Sequence, residues 1–305
     1  MSRYTLLVTF ISGGVSAVGA LTGLAIGDAM GAPFEGYPPP NRPVTEMRGN
    51  GPRMRNAGQY TDDTLQAMAV AESLVQCRGF CPENLMERLI IGYKRYPEYY
   101  GPTSRAVFDL VQSGVPLDRA AGIVHTQRGG SRSNGSVMRG APVGIFFSGP
   151  ALREVSISCS QLTHYDSAAA ECSAWVNQMI SDMCRGFSRT GAFSRALHRC
   201  NDDDVITVLG AYHRFDPEPG LDALLATHAA LTVFMDSRSF EEMVIHAISL
   251  GGDTDTVGAI AGALGGAWSG IGNIPKRWLG NLKDSGIIIS LGARLWQVSQ
   301  KTALG

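Results

Sequence analysis

The sequence predicts a compact all-α protein, an orthogonal helical bundle that forms a single domain over residues 1–305 around a central cleft. Three observations carry this expectation. Apolar residues recur at three-and-four spacing through most of the chain, while strand-like alternation is sparse. Glycines repeat every fourth residue in two separate places, at 19, 23, 27 and 31 and at 258, 262, 266 and 270. No linker-like stretch divides the 305 residues.

The first element is the apolar stretch that carries the first glycine series. Tyr4 to Gly27 contains no charged residue and is long enough to span a bilayer; Arg3 and Val18-Gly19-Ala20 suit a signal peptide with its cleavage site. A membrane or signal segment at 4–27 is therefore one reading. The second glycine series argues for another, because it lies in a helix with Asp253 and Asp255 at its mouth, which cannot be a membrane span. An interior helical glycine costs about 1 kcal/mol relative to alanine, so two such stripes require a compensating close contact. The two glycine-striped helices are expected to press together at the centre of the fold, with no stable membrane insertion.

Seven further helices follow from periodicity and from starts marked by Pro, Ser, Asp or Thr: Leu65 to Cys77, Pro82 to Lys94, Ser104 to Ser113, Ser167 to Cys184, Asp222 to Phe234, Phe240 to Leu250 and Ile287 to Lys301. Long loops remain at 32–60 and 126–136, where function concentrates.

Composition narrows the function. A net charge of −1 with 17% charged residues leaves no basic footprint for nucleic acid, so the expected partner is a small molecule or a protein surface. The six cysteines, at 77, 81, 159, 172, 184 and 200, lack the paired spacing of a zinc site and read as reduced thiols, which favours the cytoplasm. Nothing in the sequence indicates an oligomeric state.

Two segments carry the chemistry. Gly58-Gln-Tyr-Thr-Asp-Asp-Thr64 and Ser249-Leu-Gly-Gly-Asp-Thr-Asp-Thr256 each place two acids and flanking hydroxyls at the start of an apolar helix. Asp and Thr are good helix caps, worth about 1 kcal/mol each. One cap needs one residue, however, and paired acids repel unless a cation or partner intervenes. Asp62, Asp63, Asp253 and Asp255 with Thr61 and Thr256 form an oxygen donor set suited to a hard divalent cation. Gly129-Gly-Ser-Arg-Ser-Asn-Gly-Ser136, followed by Met138 and Arg139, is either a flexible turn or a backbone cradle for phosphate. Asp28 and Glu35 follow the first glycine series. His164 stands at the mouth of another helix, where a structural or capping role is the plain alternative.

Taken in order, Gly23-Leu-Ala-Ile-Gly-Asp-Ala-Met-Gly31 with Glu35, Gly58 to Thr64, Ser133-Asn-Gly-Ser-Val-Met-Arg139, Thr163-His164 and Gly251-Gly-Asp-Thr-Asp-Thr-Val-Gly-Ala259 resemble the ADP-ribosylglycohydrolases. These are all-α enzymes that release ADP-ribose from modified side chains. The resemblance extends over about residues 17–280. It implies two divalent cations, Mg²⁺ or Mn²⁺, held by Thr61, Asp62, Asp63, Asp253, Asp255 and Thr256. It also implies a diphosphate site at Ser133, Asn134, Gly135, Ser136, Met138 and Arg139 with His164 beside it, and Glu35 in a loop closing over the metals. Glu35 and Asp62 are the acid/base candidates. The expected substrate is an ADP-ribosylated protein or a small ADP-ribose derivative.

The chain departs from the family pattern at two points. Pro97-Glu-Tyr-Tyr-Gly-Pro-Thr103 carries Tyr99 where an acid is expected, unless Glu98 serves, and Gly220-Leu-Asp-Ala-Leu-Leu225 carries Asp222 without the usual aromatic. Both leave the metal set intact and put the acceptor in question. A non-catalytic ADP-ribose binder, like the crystallin-like members, is the alternative, opposed by retention of all six ligand positions and Glu35. Metal-dependent phosphoester hydrolysis is a third reading, opposed by the lack of phosphate-anchoring Lys or Arg near the acids.

Overall fold

The structure, a computed structural model, describes residues 3–49 and 51–302, and the side chains of 13–49 and 51–302. The described residues form fifteen α-helices: α1 (Arg3–Gly31), α2 (Asp62–Cys77), α3 (Pro82–Arg95), α4 (Pro102–Gln112), α5 (Leu117–Arg128), α6 (Ala141–Phe146), α7 (Pro150–Gln161), α8 (Ser167–Cys184), α9 (Arg189–Arg199), α10 (Asp203–Gly210), α11 (Ala223–Asp236), α12 (Phe240–Ser249), α13 (Thr254–Ser269), α14 (Lys276–Asn281) and α15 (Ser285–Thr302). Extended pairing among them is limited to two isolated bridges, Tyr37 with Gly252 and Ser133 with Asp222. The fold is all-α, as the periodicity indicates.

The glycine series meet as expected. Gly19 lies against Gly266, Gly23 against Gly262, Gly27 against Gly258, and Gly31 against Thr254. As residue numbers rise along α1 they fall along α13, so the two helices run antiparallel in fixed register. A Cβ on Gly27 would stand 1.8 Å from the Gly258 carbonyl oxygen, and one on Gly266 1.9 Å from that of Gly19. Only backbones without side chains approach this closely, and the resulting van der Waals contact offsets the conformational cost of the glycines.

Around this pair one hydrophobic core joins nearly all the elements. Every residue of α8 from Ala168 to Cys184 is buried, with α6, α7 and α9 packed on it and α13 behind. The apolar stretch of α1 from Gly13 onward is long and apolar enough to cross a membrane by length and composition, and 89% of its apolar window is buried inside the protein. The side chains of residues 4–12, the rest of the segment read as a possible signal or span, lie outside those described. Helix α2 begins at Asp62 rather than Leu65, which places both acids in its first turn.

Candidate active site

Five helix starts here use one polar side chain to meet the free backbone N–H groups. Asp166 caps α8, Ser188 α9, Asp202 α10, Asp222 α11 and Ser239 α12, each accepting from an N–H two or three residues on. The two acid-bearing helices differ. Neither Thr61 at the start of α2 nor Asp253 at the start of α13 makes a side-chain cap. For α2 the task is performed from outside, by Asp28 of α1. Its carboxylate accepts from the Thr61 N–H at 3.0 Å, the Thr61 hydroxyl at 2.9 Å, the Thr64 N–H at 3.0 Å and the Thr64 hydroxyl at 2.6 Å. Asp62 and Asp63 are thereby left free of capping duty, so capping does not account for the paired acids.

Asp62, Asp63, Asp253 and Asp255 line one cleft of about 180 Å³ together with Glu35, Asn134, His164 and Thr256. Burial, with repulsion from Asp28 and other neighbours, pushes Asp62 up to about 8. Burial likewise pushes Asp253 up to about 6. Asp63 and Asp255 are held well above the ordinary carboxylate range by burial and by their acidic neighbours. Asp63 Oδ1 is buried without a hydrogen-bond partner. Among the described residues no three His, Cys, Asp or Glu side chains are drawn onto one point as a ready ligand group; the acids ring the cleft, with threonine hydroxyls between them. An all-oxygen donor set, crowded with negative charge and holding an orphaned carboxylate oxygen, fits a hard divalent cation.

The Gly129–Ser136 loop is stitched to the chain just ahead of α11. Asn134 N–H donates to the Leu221 carbonyl at 2.9 Å, Ala223 N–H to the Arg132 carbonyl at 2.9 Å, and Arg132 Nε pairs with Asp222 at 2.6 Å. The Asn134 amide reaches Asp253 Oδ2 at 2.5 Å, which ties the loop to the acids. Gly135 is required where it stands, because a Cβ there would lie 2.8 Å from His164 Cε1. Ahead of Asp253, Gly251 and Gly252 have φ of +74° and +65°, and Gly252 exchanges backbone bonds with the Gly36–Tyr37 segment, carrying the loop after α1 to the cleft.

The candidates fall into two groups. Ser133, Asn134, Gly135, Met138 and His164 line the cleft with the four aspartates, Thr256 and Glu35. Glu35 sits at the rim, 29% exposed, paired with Arg53 and Arg55 at 3.5 Å each. Thr61, Ser136 and Arg139 are buried and form no part of the lining. Arg139 is fully buried, and its guanidinium is engaged by Gln66, the Cys159 carbonyl and Thr163. Tyr99, Gly101, Pro102, Thr103, Ser104 and Leu221 complete the wall. Of these, Tyr99 and its neighbours were visible in the sequence only as a departure from a motif. Leu221, 70% exposed, bore no signal beyond its place beside Asp222.

The ADP-ribosylglycohydrolase family model matches residues 16–304. The chain belongs to the ADP-ribosylglycohydrolase family. An ADP-ribosylglycohydrolase-related protein of known structure superposes with a TM-score of 0.84 at 32% identity, over 94% of this chain and 99% of that one. The ADP-ribosylarginine hydrolase Tri1 of Serratia proteamaculans is 28% identical, over 93% of this chain and 79% of its own. The ADP-ribosyl-[dinitrogen reductase] glycohydrolase of Rhodospirillum rubrum is 28% identical, over 87% of this chain and 90% of its own. The protein is accordingly a hydrolase of the glycosidase type. Within this family, the acid-ringed cleft between α2 and α13 is the place to look for the chemistry.

Proposed function

We propose that the protein hydrolyses the bond between ribose C1″ and a modified side chain of an ADP-ribosylated protein, releasing ADP-ribose, with two divalent cations, Mg²⁺ or Mn²⁺, bound in the cleft. The observation that carries this reading is the convergence of two uncapped acid pairs, Asp62 with Asp63 and Asp253 with Asp255, from helix starts about 190 residues apart in sequence. Asp62, Asp63, Asp253, Asp255 and Thr256, with Thr61 behind them hydrogen-bonded to Asp63 at 3.3 Å, would hold the cations, which would supply Lewis acidity toward the ribose hydroxyls and a bound water.

The remaining work belongs to the chain's own residues. Asp62 and Glu35 are the carboxylates that can take the proton of a water as its oxygen bonds to C1″ and the bond to the acceptor nitrogen or oxygen breaks. The same pair can return a proton to the departing group. At about 180 Å³ the cleft is smaller than a whole drug-sized site. It therefore suits the reacting ribose, with the diphosphate lying along Ser133–Ser136, next to Met138 and His164, and the acceptor protein outside. Ser136 and Arg139 support that loop from behind.

The names of the relatives make ADP-ribosyl-arginine the first acceptor to test. Incubation with ADP-ribosyl-arginine, ADP-ribosyl-serine and a small ADP-ribose ester, with Mg²⁺ or Mn²⁺ and then with chelator, should give free ADP-ribose only while metal is present. Asp253→Ala should lower kcat/KM by at least about 100-fold, the upper end of losses at metal-site partners. Turnover that survives both chelator and Asp253→Ala would falsify the metal-dependent mechanism.

A further inference from the structure

Behind the cleft runs a continuous buried chain of polar side chains. Asp62 Oδ2 accepts from Gln66 Nε2 at 2.8 Å, and Gln66 Oε1 accepts from Arg139 Nη1 at 2.8 Å. Arg139 Nη2 donates to Thr163 Oγ1 at 2.7 Å and to the Cys159 carbonyl at 3.2 Å, and Thr163 Oγ1 meets His164 Nδ1 at 2.8 Å. Gln66, Arg139 and Thr163 are each 0% exposed. None of the three groups bonded to the guanidinium is a carboxylate, and Nε has no partner at all. Burying such a cation is costly, and a well-packed apolar residue usually serves stability as well or better. Stability alone gives no reason for an arginine here.

The donor rules supply one. A guanidinium only donates. Its bond to Gln66 therefore fixes the amide orientation, Oε1 toward Arg139 and the NH₂ toward Asp62, which holds one Asp62 oxygen as an acceptor. Its bond to Thr163 takes one lone pair of the hydroxyl, and among the described residues the hydroxyl hydrogen finds no acceptor other than His164 Nδ1. A histidine that accepts at Nδ1 carries its proton at Nε2. The Nε2 edge is the one that lies against Gly135 of the cleft loop, 2.9 Å from where a Cβ would stand.

We propose that Arg139 is a positioning residue which, through Gln66, orients Asp62 and, through Thr163, locks His164 in the Nε2–H tautomer, so that the imidazole presents a donor to the ligand's oxygens. The value of that donor rests on the reading of the cleft as an ADP-ribose site; the tautomer does not. Arg139 thus aligns both walls of the cleft without touching the ligand.

The test uses the full chain and reads the two ends of the relay separately. Long-range ¹H–¹⁵N spectra of the metal-free, ligand-free protein, with the His164 signals assigned by their loss in His164→Gln, should show Nε2–H. Thr163→Val, which keeps the shape and removes the hydroxyl, should give a mixture of tautomers and weaken ADP-ribose about tenfold. Gln66→Met should leave the His164 spectrum unchanged and weaken Mn²⁺ about tenfold. Arg139→Met, where it folds, should do both. Retention of pure Nε2–H in Thr163→Val, or its absence from the wild-type protein, overturns the proposal whatever the enzyme hydrolyses. If the tautomer shifts as expected but ADP-ribose does not bind the wild-type protein, the relay stands and the ligand assignment is what fails.

Discussion

Asp28 is the residue on which the geometry of α2 turns. Its carboxylate receives both the N–H and the hydroxyl of Thr61 and of Thr64, and it is fully buried. Asp28→Asn directs an amide hydrogen at groups that are themselves donors, and should cost about 3 kcal/mol of unfolding free energy in urea. His164 gives a pH signature. Burial, with the nearby Arg139 charge, pushes it down to about 3, against an ordinary value near 6.5. Between those values the unfolded chain binds the proton and the folded one does not. The contribution of His164 is therefore complete above about pH 6.5 and is lost as pH falls toward 3. Over that window wild type should lose up to about 1.4 kcal/mol per pH unit more than His164→Gln, as read from denaturant melts at pH 7 and pH 5. At this scale the sequence was legible where a residue type has few alternative uses: the paired acids ahead of two helices line one cleft in the structure. It was not legible for Arg139, because an arginine after a Gly/Ser loop reads equally well as a phosphate ligand and as an inward beam. Only its zero exposure separates the two.

Among the elements, the α1–α13 pair carries the sharpest prediction. Gly27→Ala drives a methyl group to 1.8 Å from the Gly258 carbonyl oxygen, and backbone atoms on both sides leave no side chain to swing away. We expect a loss of about 3 kcal/mol. Gly286→Ala in α15, with nothing within 4 Å of its Cβ position, should instead stabilise the protein by up to about 1 kcal/mol. Calorimetry on the two variants should show Tm shifts of opposite sign. The stripes were readable beforehand because close backbone approach admits one residue type at one period. Helix α8 was also readable, over the same Ser167–Cys184 limits found in the structure. Helices α5, α6, α7, α9, α10 and α14 are not predicted by periodicity. They are six to twelve residues long, and so short a pattern of apolar positions is hard to tell from a turn-rich stretch. In the same way α5 continues to Arg128, into the segment 126–136 expected to be a loop.

For the whole molecule, the ring of buried acids ties stability to cations. A cation that binds the folded chain and not the unfolded one should stabilise it by about 2.7 kcal/mol at a hundred times its dissociation constant. Melting with added Mn²⁺ or Mg²⁺, and again with chelator, should show the rise and its reversal, and Asp63→Asn should diminish it. One core joins the bundle, yet its central contact lies between segments far apart in sequence. Gly27 and Gly258 are apart by 231 residues, the difference of their numbers. A ribosome adding roughly 5–20 residues each second needs on the order of ten seconds or more to cover that interval. Throughout it α1 has emerged without its partner, exposing a strip of bare backbone and a surface apolar enough for a bilayer. The seam that makes the finished protein so close-fitting can therefore be sewn only once α13 arrives, and until then the strip on α1 stays bare.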